Sequence, residues 1–171
     1  MDISKINYIS NSDIYNKTVL LRVDLNVPLL NDRVTDVLRI QRILPTINLL
    51  IKKNCKIILI SHLGRPNGKR NKNYSLSKIL KTLNRHLNVS SIKFSSDCIG
   101  SEALNLVKQI NFGQICLFEN LRFYKEEESN NKNFAKKLSE HADIFVNDAF
   151  GTSHRKHASN SAIMNYFKVK S

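Results

Sequence analysis

The stretch IFVNDAFGTSHRKHAS (144–159) decides the fold. Its apolar start, Ile144 to Val146, leads straight into a loop holding Asp148, Gly151, His154, Arg155, Lys156 and His157. A strand that opens at its C-terminal end into polar and cationic loop residues is how a parallel α/β sheet presents a binding crevice. The same arrangement occurs earlier in the chain. Val19 to Leu21 leads into Arg22, Asp24 and Asn26; Ile57 to Ile60 leads into SHLGRP (61–66); Ile115 to Phe118 leads into ENLRFYKEEE (119–128). Four strands thus deliver polar groups to one sheet edge.

Between these runs the hydrophobic period changes. Strands are expected near 18–23, 57–61, 92–95, 115–118 and 144–147. In 39–53, Ile40, Ile43, Leu44, Ile47, Leu50 and Ile51 recur at three- and four-residue spacings, which predicts an amphipathic helix. Pro45 inside it predicts a kink or a late start. A second helix is expected over 75–87, with Ser75 as N-cap and Leu76, Ile79, Leu80, Leu83 and Leu87 as its buried stripe. Helices near 101–110 and 131–141 complete the alternation. Strand–helix alternation predicts βαβ units, hence an α/β fold: a Rossmann-like three-layer α/β/α domain on a mostly parallel sheet of about five strands.

Composition sets the limits. A chain of 171 residues with 42% hydrophobic content buries an ordinary core in one domain. Lys+Arg outnumber Asp+Glu by 27 to 14, and the resulting charge of +13 favours anionic ligands or surfaces without choosing among nucleic acid, phospholipid and phosphorylated metabolites. The N-terminal MDISKINYIS lacks the basic start and apolar stretch of a secretory signal, and no apolar run reaches the roughly 18 residues of a membrane span. Cys55, Cys98 and Cys116 are expected to be buried thiols in a reducing cytoplasm.

GRPNGK (64–69) resembles a phosphate loop but has three residues between its glycines where that motif has four, and Arg70 stands where Ser/Thr holds magnesium. No G-x-G-x-x-G is present. His154 and His157 have H-x-x-H spacing without a Cys or acidic partner at a metal-ligand interval, so no metal site is expected. Glu126 to Glu128 reads as a solvated acidic turn rather than a catalytic pair, Arg22 as a structural strand residue, and Asp148 as a group holding its loop's backbone. Lys52, Lys53, Lys69 and Lys72 read as solubilising charge, and 67–73 as a mobile loop.

Five blocks in order, RVDLNVP (22–28), TDVLRI (35–40), ISHLGRP (60–66), FENLRF (118–123) and FVNDAFGTSHRKHAS (145–159), resemble the phosphoglycerate kinase family. That family moves a phosphoryl group between 1,3-bisphosphoglycerate and ADP. Carried over by position, the resemblance implies that Asp24, Leu25, Asn26, Arg39, His62, Leu63, Gly64, Arg65, Arg122 and Arg155 bind 3-phosphoglycerate. Arg39 is implied to stabilise charge in the transition state. Asp24 and Asn26 would hold the substrate's hydroxyl or orient neighbouring arginines. The arginine fork suits a ligand with a carboxylate at one end and a phosphate dianion at the other.

The resemblance also implies a cytoplasmic, typically monomeric protein. Mg-ATP or ADP would belong to the family's second domain, with none bound by this chain. Residues 1–171 would form only the N-terminal domain, ending at FKVKS before the family's sixth strand, with apolar surface left exposed. A separately encoded nucleotide-binding domain is one partner left open. The readings kept beside it are a basic nucleic-acid-binding module and the product of a decaying gene. Against nucleic acid, Phe118, Phe123 and Tyr124 belong to family blocks and form no stacking face.

Overall fold

The computed structural model describes residues 13–87, 89, 91–152 and 155–168. In chain order these form β1 (Thr18–Val23), β2 (Leu29–Leu30), β3 (Arg33–Val34), α1 (Leu38–Lys52), β4 (Lys56–Ile60), α2 (Leu80–Leu87), β5 (Lys93–Ser95), α3 (Gly100–Gln109), β6 (Ile115–Phe118), α4 (Lys125–Glu128), α5 (Lys132–Ser139) and β7 (Ile144–Asp148). The main sheet has five strands in the order β5-β6-β4-β1-β7, every pair parallel. β2 and β3 form a separate antiparallel hairpin.

Alternation along each strand builds two cores. Val19, Leu21 and Val23 join Ile57, Leu59, Leu117, Ile144 and Val146 on one face, under Ile40, Ile43, Ile47 and Leu50 of α1 and Leu83 of α2. Leu20, Ile58, Ile60, Cys116, Phe118 and Phe145 turn the other way, onto Ala103 of α3 and Phe134, Ala135 and Leu138 of α5. A sheet covered on both faces explains why β1, β4, β6 and β7 carry unbroken apolar runs. The three-layer α/β expectation is met.

The expected elements fall close to their places, with three differences. Pro45 does not delay α1, which already begins at Leu38. The proline is exposed, so the carbonyl it leaves without a donor is on the solvent side. The 75–87 segment divides: Ser75 Oγ accepts the Ser77 N–H and caps a 3₁₀ turn over Leu76–Ile79 that runs into α2. The hairpin was not expected. Its turn residues Asn31 and Asp32 have φ of 48° and 61°, the left-handed pair a tight hairpin turn needs.

All other non-glycine left-handed positions among the described residues, Asn16, Asn54, Asn67 and Asn130, are also asparagines, which tolerate that region better than other side chains. Cys55, Cys98 and Cys116 are buried free thiols. Among the described residues, no helix is long and apolar enough to cross a membrane.

Candidate functional site: a basic crevice at the C-terminal sheet edge

Parallel register brings the strand ends to a common level. Arg22 of β1 lies opposite Ile60 of β4 and Asn147 of β7, and Leu59 opposite Leu117 of β6. The segments that follow these strands therefore emerge side by side.

Side-chain hydrogen bonds tie these segments together. The Leu25 N–H donates to Ser61 Oγ at 2.9 Å, and that hydroxyl donates to the Val23 carbonyl at 2.7 Å. Asn26 Oδ1 accepts the Gly64 N–H at 2.8 Å. Asn120 donates to the carbonyls of Leu63 and Tyr74, both at 2.8 Å, and accepts the Arg122 N–H at 3.0 Å. Arg122 Nη1 donates to the Gly64 carbonyl at 2.9 Å, and its Nε lies 3.4 Å from Glu128. The Leu25 and Leu63 side chains are core residues, so from these positions only backbone is available to a ligand.

Gly64 is confined from both sides. Its φ is +62°, and a Cβ there would meet the Tyr74 ring at 2.4 Å. Gly64→Ala is therefore expected to destabilise the chain by roughly 1–3 kcal/mol, as a thermal-melt comparison would show, and to displace the Arg122 guanidinium with it. Gly68 is confined in the same way, with φ +70° and Lys125 Cγ 2.1 Å from its missing Cβ. The 67–73 segment expected to be loose is pinned: the Gly68 N–H donates to the Arg122 carbonyl at 3.1 Å, and Arg70 pairs with Asp97 at 2.6 Å.

The basic groups perturb one another. Burial first, then Arg122, Arg22, Arg155 and His157, push the pKa of His62 down to about 3, so this 5% exposed imidazole is neutral at physiological pH. Arg122 is lowered by burial above all, with Arg155 and Arg65 acting the same way against Glu128 and Glu127. Arg22, Arg65, Arg122, Arg155, His62 and His157 thus share one electrostatic neighbourhood. Arg39 joins it through Asp24, with which it forms an ion pair. Asp24 in turn attracts Arg22. A cavity of about 340 Å³ opens beside this pair, lined by Asp24, Arg39, Arg42, Asp148 and Gly151 among others.

The sign of the His62 shift gives a testable pH dependence. With a folded pKa depressed from 6.5 to about 3, the contribution of neutral His62 is complete above pH 6.5 and is lost as pH falls towards 3. The expected slope is about 1.4 kcal/mol per pH unit from this group. Urea midpoints measured between pH 7 and 4 should fall steadily, and His62→Gln should flatten that fall by the equivalent of one proton. An unchanged slope in the variant would contradict this assignment.

One reading of the acidic block is overturned. Glu126 and Glu128 are exposed on α4, but Glu127 is 1% exposed. Its Oε1 accepts the Ser159 hydroxyl at 2.6 Å and its Oε2 the Ser159 N–H at 3.0 Å, while Arg22 Nε donates to Ser159 Oγ at 2.8 Å. The block is neither a solvated turn nor a catalytic pair; its middle residue anchors the loop that carries Arg155. Arg22 is itself buried, as a structural residue would be, yet it belongs to the basic group. Asp148 interacts with the Thr46 side chain, and its Oδ2 has no hydrogen-bond partner.

Asn120 and Ser159 were not singled out from the sequence. Only their positions inside FENLRF and HRKHAS pointed near them. His154 lies outside the described residues, among which no group of three or more metal-ligating side chains occurs.

Fold and crevice together define an α/β domain with a cluster of arginines at the C-terminal edge of its sheet. The family model for phosphoglycerate kinase matches residues 9–170, and the chain belongs to that family. It is 52% identical over 158 residues to the phosphoglycerate kinase of Wolbachia pipientis wMel, covering 92% of this chain and 39% of that protein. It is 51% identical over 150 residues to that of Borreliella afzelii, covering 88% and 38%. The phosphoglycerate kinase structure from Coxiella burnetii superimposes with a TM-score of 0.84 at 39% identity, over 95% of this chain and 40% of that one. The Pyrococcus horikoshii enzyme gives 0.86 at 30% identity, over 96% and 42%. The chain spans about two fifths of the length of these relatives.

Proposed function

We propose that this chain is the acceptor-binding part of a phosphoglycerate kinase and binds 3-phosphoglycerate, or 1,3-bisphosphoglycerate in the reverse direction, in the basic crevice. The observation that carries the reading is Arg122. It is 3% exposed, and its Nε makes no hydrogen bond, only a 3.4 Å ion pair with the exposed Glu128. Around it Arg22, Arg65 and Arg155 make four arginines against Glu127 and Glu128, while Arg39 and Asp24 offset each other. A surplus of buried and half-buried guanidinium charge is stabilised by an anion, and a ligand with a carboxylate and a phosphate supplies two.

The roles follow from the contacts. Arg65 and Arg155, exposed and half-buried, are free to swing onto the ligand's anionic ends, whereas Arg122 is fixed by Gly64. Asp24 holds Arg39, and a carboxylate aimed at a doubly anionic ligand is better used to orient an arginine or accept from the ligand's hydroxyl. Asn26 and Gly64 lock the two substrate loops together. Arg39 then neutralises charge on the group in flight, since phosphoryl transfer depends on positioning and electrostatics rather than covalent help.

Mg-ATP and ADP belong, in this reading, to the remaining length of the family's members, whether on the same polypeptide or on a separately encoded one. The 171 residues alone should bind 3-phosphoglycerate weakly, because closure of a second domain contributes nothing to them. They should form no 1,3-bisphosphoglycerate from ATP. Calorimetric titration with 3-phosphoglycerate tests the site: heat is expected for the unmodified chain, and an affinity roughly tenfold lower for Arg65→Ala. Absence of heat at millimolar ligand, with the protein shown to be folded, refutes the reading.

A further inference from the structure

A second basic cleft lies away from the crevice. It encloses about 410 Å³ between the β2–β3 hairpin and the start of α2, lined by Asp32, Arg33, Val34, Lys78, Lys81, Thr82 and Arg85. None of these residues lines the cavity beside Asp24 and Arg39 or belongs to the arginine group described above.

Its construction follows from two local features. Lys78, Lys81, Thr82 and Arg85 are spaced three, four and seven residues apart, so they share one face of the 3₁₀-to-α2 segment, while Leu76, Ile79, Leu83 and Leu87 bury the opposite one. Across the gap, the tight turn at Asn31 and Asp32 fixes Arg33 at the start of β3. Four cations therefore face a single carboxylate, Asp32, which pairs with Lys78 at 2.5 Å. The Lys78 side chain is only 15% exposed, whereas that of Asp32 is 72% exposed. An ion pair with so solvated a carboxylate is weak, and an incoming phosphate competes with it for the ammonium on favourable terms.

We propose that this cleft is a second anion site, taking a ligand with two or more linked phosphate groups. Several cations at helical spacing facing a fixed arginine match consecutive phosphates better than one compact anion, and the volume suits an oligophosphate tail. The shared chemistry covers free inorganic oligophosphate and the phosphate chain of a nucleotide. This inference does not rest on the function proposed for the crevice.

The test is an NMR titration of the full 171-residue chain with inorganic tripolyphosphate at low and moderate salt, repeated with adenosine triphosphate. The amides of Arg33, Lys81, Thr82 and Arg85 should shift together along one binding isotherm. Lys81→Glu and Arg85→Glu should each weaken that isotherm by about tenfold or more, whereas Asp32→Asn should tighten it by freeing Lys78. Equal affinities for the two probes assign recognition to the phosphates alone, and tighter binding of adenosine triphosphate assigns the site to a nucleotide; both uphold it. Shifts confined to Gly64, Arg122 and their neighbours, or a cleft isotherm indifferent to both charge reversals in folded protein, overturn it.

Discussion

Glu127→Ala is expected to lower the unfolding free energy by about 3–5 kcal/mol, the cost typical of removing one partner from a buried charged group. Truncation strips both acceptors from Ser159, whose hydroxyl and N–H lie 2.6 and 3.0 Å from the carboxylate. It also removes the strongest attraction on Arg22, the leading influence that opposes the effect of its burial. The same change frees the loop that positions Arg155, so 3-phosphoglycerate affinity should fall in parallel. Glu127→Gln keeps the shape and one acceptor and should fall between the two. Urea midpoints and calorimetric titration on both variants provide the measurement; a loss below about 1 kcal/mol for the alanine variant would show that the loop is held by other contacts.

Arg39→Ala is expected to act on rate. The experiment needs a complete enzyme, for which this chain can replace the matching stretch of the Wolbachia pipientis phosphoglycerate kinase. In that chimera kcat should drop by ~10³ or more, the scale at which arginines act on phosphoryl transfer, while KM for 3-phosphoglycerate changes much less. The split follows from position. Arg39 is held at the crevice by its ion pair with Asp24 and its side chain is 48% exposed, so its removal leaves the fold and the other arginines in place. Asp24→Asn should loosen Arg39 and reproduce part of the rate loss. A variant whose KM rises as steeply as its kcat falls would make Arg39 a binding group instead.

The sheet was legible because β1, β4, β6 and β7 carry apolar runs, the consequence of burial on both faces of the sheet, and because α1 and α2 carry a period of three and four, the consequence of burying one face of a helix. The hairpin was not legible, since its strands have two residues each and its turn carries Asn31–Asp32 rather than the asparagine–glycine pair that signals one. Arg22, Arg65, Arg122 and Arg155 stood out through charge at strand ends, whereas Arg39, in α1, was implied only by the family resemblance. Their support did not: Asn120 and Ser159 are small polar residues whose importance lies in partners far along the chain, 57 residues away for Leu63 and 32 for Glu127. Glu127 was misread because three consecutive glutamates look solvated, and only the helical rotation of α4 separates the buried one from its exposed neighbours.

The position of β1 carries a consequence for how the chain reaches this structure. β1 lies between β4 and β7, and the Thr18 N–H meets Asp143 across 125 residues of sequence. Loop closure over that span is an entropic barrier that local helices cannot lower, and it slows folding accordingly. During synthesis β1 therefore waits with one edge open until 144–148 leaves the ribosome. In that interval Val19 to Val23 is the segment most exposed to misassociation, and a chaperone that captures this chain co-translationally should bind there.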